Sequence, residues 1–223
     1  MRARITCAGL ILAILSEVPA FADAAGTAMN GIEIKAPQPA MVAQRGLKAS
    51  LVPEDFHVPT LVAAAGFKLV PLGPDVVNVD FDAYMSSIEH LQRTFTRNAA
   101  WPHKDISHAD AMRDLENEQA RFNNRVAFAY AVLTPDGSRE RGSVYVQPST
   151  VKNYDAVVRM WVTKADYDSG FDTELYRWVA NWIRTDWPFK RVAYPGRAVD
   201  WPTWDSLVAA NEVQSTAGEN QGH

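Results

Sequence analysis

The chain has 223 residues, with 22 Lys and Arg against 26 Asp and Glu, and a formal net charge of −4 at pH 7. That length suits one ordinary domain with a sizeable core, and an acidic chain without a basic stripe argues against a nucleic-acid or anionic-membrane surface. Cys7 is the single cysteine, which excludes a disulfide framework or a thiolate metal cage within the chain.

Residues 1–22 have the tripartite form of a secretory signal peptide. Arg2 and Arg4 open it, the run ITCAGLILAIL follows, and Ala20-Phe21-Ala22 supplies the small-x-small cleavage pattern. The apolar run is too short for a membrane span. The pattern predicts cleavage after Ala22 and a periplasmic or secreted product with no cysteine and no membrane span. Residues 23–66 are rich in Ala, Pro, Gly and Val without a sustained period, and predict a linker and extended lead-in, with a short helical turn at 61–65. The folded domain is expected over 67–211, with a frayed polar tail at 212–223.

A short apolar strand is predicted at 67–72, closed by Pro71 and Gly73-Pro74. Phe81, Tyr84, Met85, Ile88, Leu91 and Phe95 then share one helical face, with Asp80 as the N-cap. A second helix starts at Ser107, with Asp110 in the capping-box position and Met112, Leu115 and Phe122 on its buried side. In VAFAYAVL (126–133), bulky residues alternate with Ala127, Ala129 and Ala131, so a strand is predicted whose alanine face admits close packing. Thr134-Pro135-Asp136-Gly137 is a turn, because proline presets φ and glycine takes positive φ. Strands at 141–147 and 156–163 follow. Phe171, Leu175, Trp178, Val179, Trp182 and Ile183 form the wide stripe of a helix that Trp187-Pro188 ends. A short strand at 191–194 and a helix from Pro202 to Asn211 complete the chain. The order β–α–α–β–β–β–α–β–α predicts an α+β (mixed α/β) domain with a central, mostly antiparallel sheet flanked by helices.

Element order, together with the strand–loop–helix from Ala156 to Ile183, resembles the GNAT acyltransferase superfamily. Closer still is a set of bacterial GNAT-like proteins, through MSSIEHL (85–91), FAYAVLTPDGSRERGSVYVQPS (128–149), YDAVVRMWV (154–162) and WPFKRVAYPGR (187–197). The resemblance implies a GNAT-like fold with a shortened C-terminal end, and acetyl-CoA or another acyl-CoA held between the central strands. It assigns the pantetheine arm to Trp161, Val162 and Thr163, and the diphosphate to the following loop, with Gly170 at the first motif glycine and Leu175 at the apolar helix position. Tyr167 stands at the cationic position and Asp172 at the second glycine, so Asp172 is expected to cap its own helix and compete with a phosphate for the same N–H groups. Lys164 is the nearby cation that would restore anion binding. In place of the usual tyrosine general acid after the penultimate strand stand Trp201 and Trp204, and Tyr194 is the nearest proton donor.

Other residues offer chemistry without a motif. His90 lies off the apolar stripe of its helix and becomes a substrate contact if the helix borders a cleft; otherwise it belongs to a polar face. Arg159, on a central strand, either holds a ligand carboxylate or phosphate or pairs with Glu140 or another acid on a neighbouring strand. His103, His108, Asp105 and Asp110 match no metal-cage spacing, and no metal is expected. Two functions remain open. One is an N-acetyltransferase-like enzyme using acyl-CoA; the other is a non-catalytic exported domain whose cleft binds a small molecule or peptide.

Overall fold

The computed structural model describes residues 49–219, with side chains to residue 213. The chain divides into Met1–Arg45 and Gly46–His223; the first unit, and with it the expected signal peptide, lies outside the described residues. No helix among the described residues is long and apolar enough to cross a membrane.

Six strands form one sheet in sequence order: β1 Val62–Ala64, β2 Phe67–Pro71, β3 Phe128–Leu133, β4 Glu140–Pro148, β5 Ala156–Val162 and β6 Val192–Ala193. Each neighbouring pair is antiparallel except β5–β6, which is parallel. The helices are α1 Val77–Met85, α2 Ile88–Leu91, α3 His108–Asn123, α4 Lys164–Asp168, α5 Phe171–Asp186 and α6 Trp201–Glu219. A π-helical turn, Gln92–Thr96, continues α2.

The alternation in β3 divides the core. Phe128, Tyr130 and Val132 face α5 and pack with Phe171, Leu175, Val179, Trp182 and Ile183. Ala129 and Ala131 face the other way and meet Ala83, Tyr84, Leu91, Ala111 and Leu115 of α1, α2 and α3. The expected close approach over the alanine face is therefore made by those helices. The capping box of α3 is present: Ser107 accepts from Asp110 N, and the Asp110 carboxylate accepts from Ser107 N at 2.9 Å. The hairpin turn is also as expected, with Gly137 at φ +80° and its N–H donating to Thr134 O.

Several expectations are corrected. Ordered chain is already present before Phe67: Val52 and Val58 are buried in the core, and residues 62–64 form a strand paired with β2 rather than a helical turn. The expected helix from Asp80 to Phe95 breaks at Ser86-Ser87 into α1 and α2. Its apolar spacing runs unbroken across the break, so spacing alone conceals it. Ser87 is buried and its Oγ accepts from Lys164 N at 2.9 Å, a long-range need no local period encodes. Asp80 is no N-cap but a buried residue inside α1. The last helix extends past Asn211 to Glu219.

Candidate functional site: the cleft where β5 and β6 part

β6 pairs with β5 at only two positions, Ala156↔Val192 and Val157↔Ala193. Beyond them the strands diverge, because Pro195 and Gly196 turn the chain into α6. A cleft of about 240 Å³ opens in the gap. One wall is residues 158–162 of β5 and the other is Pro195, Gly196 and Arg197. The end of α2 and the π-helical turn contribute His90, Arg93, Thr94 and Phe95, and Tyr167, Asp172 and Trp201 complete the lining.

Gly196 lets Trp201 sit at this cleft. Its φ is +74°, and a Cβ there would lie 2.5 Å from Trp201 Nε1. Arg97 covers the same indole, its guanidinium carbon 4.1 Å from the ring centroid, and is held there by two 2.9 Å bonds to Asp205.

The cleft is cationic in an acidic protein: Arg93, Arg159 and Arg197 line it against one carboxylate, Asp172, among the described residues. Arg197 already has a partner. Its Nη1 and Nη2 donate to Asp172 Oδ2 and Oδ1, both at 2.5 Å, and these bonds raise the guanidinium pKa. Arg159 has no acid partner among the described residues. Its Nη2 donates to Phe95 O at 2.7 Å, and its plane lies over the Phe95 ring at 4.5 Å. Burial pulls its pKa down, but a guanidinium stays charged at any ordinary pH. His90 is 6 % exposed and its ring lies 4.8 Å from that of Tyr167. Burial and then the charge of Lys164 lower its pKa, so the imidazole is held neutral near pH 7.

The cleft thus brings together His90, Arg159, Trp161 and Val162 of the residues expected from sequence. Thr163, Lys164, Gly170 and Tyr194 are not among its lining residues. Thr163 is buried and caps α4: its Oγ1 accepts from Asp166 N and donates to Asp166 Oδ2 at 2.7 Å. Lys164 Nζ reaches Asp168 at 2.5 Å. Gly170, at φ +84°, is the left-handed hinge between α4 and α5. Tyr194 packs its ring 5.7 Å from Tyr176, and burial pushes its hydroxyl up to about 12.

One expectation about the loop and one open alternative for Arg159 are overturned. Asp172 does not cap α5; Gly170 holds the cap position without a side-chain bond, and the Asp172 carboxylate goes to Arg197. Arg159 does not pair with Glu140, whose Oε1 accepts from Ser143 Oγ at 2.7 Å. The stretch after β5 is also not an open loop but the short helix α4. The N–H groups of Lys164, Asp166, Tyr167, Ser169 and Gly170 all have acceptors within the protein. Asp166 is pinned further by Arg139 at 2.6 Å and Arg141 at 2.7 Å. Sequence reasoning missed α4, although Thr163-x-x-Asp166 has the form of a helix start. It also missed Arg197 and Tyr167 as cleft residues, and Arg197 carries no local signal.

Among solved structures, one from Vibrio cholerae, provisionally described as a ribosomal-protein-serine acetyltransferase, matches with a TM-score of 0.50 at 12% identity, covering 68% of this chain and 81% of that one. The chain has a GNAT fold. A ribosomal-protein-S5-alanine acetyltransferase from Vibrio fischeri matches with a TM-score of 0.49 at 12% identity over 69% of this chain and 82% of its own. No family model and no curated protein matches the sequence. At such identities the likeness is one of GNAT architecture, and the chemistry has to be argued from the cleft.

Proposed function

We propose that the protein is an acyl-CoA-dependent N-acyltransferase that binds its donor weakly, along β5. The observation that carries this is the edge of β5 over residues 158–162, left unpaired by β6 inside a cleft. Main-chain donors and acceptors lining a cleft are best met by an extended, amide-bearing chain that adds to the sheet. A pantetheine arm is such a chain. The solved structure sharing the fold is described as an acetyltransferase, which agrees with that choice. The thioester supplies an activated acyl group; the protein's own residues do the rest. Trp161 and Val162 hold the arm, His90 accepts the proton of the attacking amine, and Tyr167 is the phenol beside it. His90 suits the role because a lowered pKa keeps the base unprotonated. Arg197 lines the cleft beside α5, and a diphosphate must displace Asp172 to reach it.

One observation favours a second reading, a non-catalytic binding domain exported by the segment 1–22. The Asp172–Arg197 fork and the internally bonded N–H groups of α4 occupy the donors a diphosphate would use. Calorimetric titration of acetyl-CoA into the full chain separates the two. The enzyme reading expects a Kd on the order of 10–500 µM and acyl transfer to an amine that falls about 100-fold in His90→Asn. Absence of heat at about 1 mM acetyl-CoA overturns it. Sequencing the N-terminus of protein from the native cell tests export; an intact Met1 would refute it.

A further inference from the structure

Among the described residues, every arginine side chain near the cleft except two is matched by an acid: Arg97 by Asp205, Arg139 and Arg141 by Asp166, and Arg197 by Asp172. The exceptions are Arg93, which is exposed, and Arg159, which is half-buried on a central strand. A guanidinium has five N–H donors, and Arg159 spends one on Phe95 O. Withdrawing such a group from water without a counter-charge is costly. The arrangement also holds the guanidinium still, with Phe95 beneath it and Trp201 at 5.9 Å.

Arg159 borders a second space as well. Phe95, Thr96, Trp101, Tyr145, Gln147 and Arg159 line a recess of about 210 Å³ adjoining the cleft. Three of those six are aromatic, so the walls suit methylenes or a ring, and the charged residue among them is Arg159. The Asp172 carboxylate, on the cleft's other wall, is already taken by Arg197.

We propose that Arg159 and the aromatic recess form a specificity subsite for a carboxylate carried on a short apolar chain. The subsite deepens the acyltransferase reading and rests on it. The carboxylate has two chemical sources: the far end of a dicarboxylic acyl group on the donor, or the acceptor amine's own carboxylate. Arginine meets either with a bidentate, charge-assisted fork. No bond is made or broken at Arg159, which positions the ligand and excludes neutral competitors.

The test is calorimetric, on the full chain and on Arg159→Gln, with Arg159→Lys as a charge-retaining control and thermal unfolding to verify folding. The probes are acetyl-CoA, a four-carbon dicarboxylyl-CoA, free phenylalanine and phenylalanine amide. We expect one carboxylate-bearing probe to bind about tenfold tighter than its neutral counterpart. A preference within the thioester pair assigns the carboxylate to the donor, and one within the amino-acid pair assigns it to the acceptor. Arg159→Gln should erase that preference by weakening the carboxylate-bearing probe far more than its neutral counterpart, and Arg159→Lys should keep part of it. The proposal is overturned if neither pair shows a preference, if the preference survives in Arg159→Gln, or if Arg159→Gln weakens acetyl-CoA equally, which would make Arg159 a phosphate contact. Silence of acetyl-CoA alone refutes the acyltransferase reading, and the amino-acid pair still decides the subsite.

Discussion

Replacing Asp80 with Asn should make the protein's stability less sensitive to a rise in pH from about 5 to about 8. Asp80 is 3 % exposed and Glu140 is fully buried, and the two carboxyls interact across α1 and β4. Burial pushes the Asp80 carboxyl from 3.8 up to about 7, with the neighbouring Glu140 carboxyl opposing the rise. Burial and then the charge of Asp80 raise Glu140 well above its ordinary range. Two buried carboxyls this close favour keeping a proton between them, and Glu140 Oε2, which has no hydrogen-bond partner among the described residues, is the oxygen open to carry it. The sign follows from linkage: a carboxyl harder to ionise in the folded state means that the folded protein holds more protons. Stability is then full below the unfolded pKa and declines as pH rises through the window from about 4 to about 7. At about 1.4 kcal/mol for each pH unit, a rise of that size amounts to roughly 4 kcal/mol over the window, of which about 2–3 kcal/mol falls between pH 5 and 8. His90 runs the opposite way below its ordinary 6.5, since its charged form is disfavoured in the fold. The informative quantity is therefore the difference between wild type and Asp80→Asn. Urea midpoints followed by tryptophan fluorescence at pH 5, 6, 7 and 8 measure it. Asp80→Asn should gain on wild type by about 2–3 kcal/mol between the extremes. Equal slopes for the two proteins would refute the shared-proton account.

Three further outcomes are expected. Asp172→Asn removes the carboxylate that holds Arg197 at 2.5 Å; acetyl-CoA should bind about tenfold tighter by calorimetry, and unchanged or weaker binding would place the diphosphate elsewhere. Gly196→Ala forces a Cβ to 2.5 Å from Trp201 at a φ of +74°; the indole must leave the cleft, with about 1–3 kcal/mol lost in denaturant titrations and a changed tryptophan emission. His90→Gln should abolish the acidic limb of the transfer-rate profile. In the wild type that limb lies below the ordinary histidine value, because the pKa is lowered and activity needs the neutral ring.

Much of this fold is legible locally. The alternation in β3, the Ser107–Asp110 box and the Pro135–Gly137 turn each act within a few residues, so the pattern and the structure coincide. What the sequence conceals is long-range. The apolar stripe from Phe81 to Phe95 reads as one helix because the break at Ser86-Ser87 serves Lys164, 77 residues away. Asp172 looks like a helix cap because its true partner, Arg197, is 25 residues on, beyond β6. Arg159 stands out by its strand position, but its lack of an acid emerges only once Glu140 is found bonded to Ser143 and beside Asp80. The splay itself depends on how few residues β6 contributes, a two-residue strand that composition cannot size.

Amide hydrogen exchange in β5, with and without saturating acetyl-CoA, probes that unpaired edge directly. The account predicts that amides at 158–162 facing away from β4 exchange slowly only when the ligand is present, by about tenfold or more, while β3, paired on both sides, stays unchanged. Identical exchange at 158–162 in the two states, with ligand in excess, would contradict it.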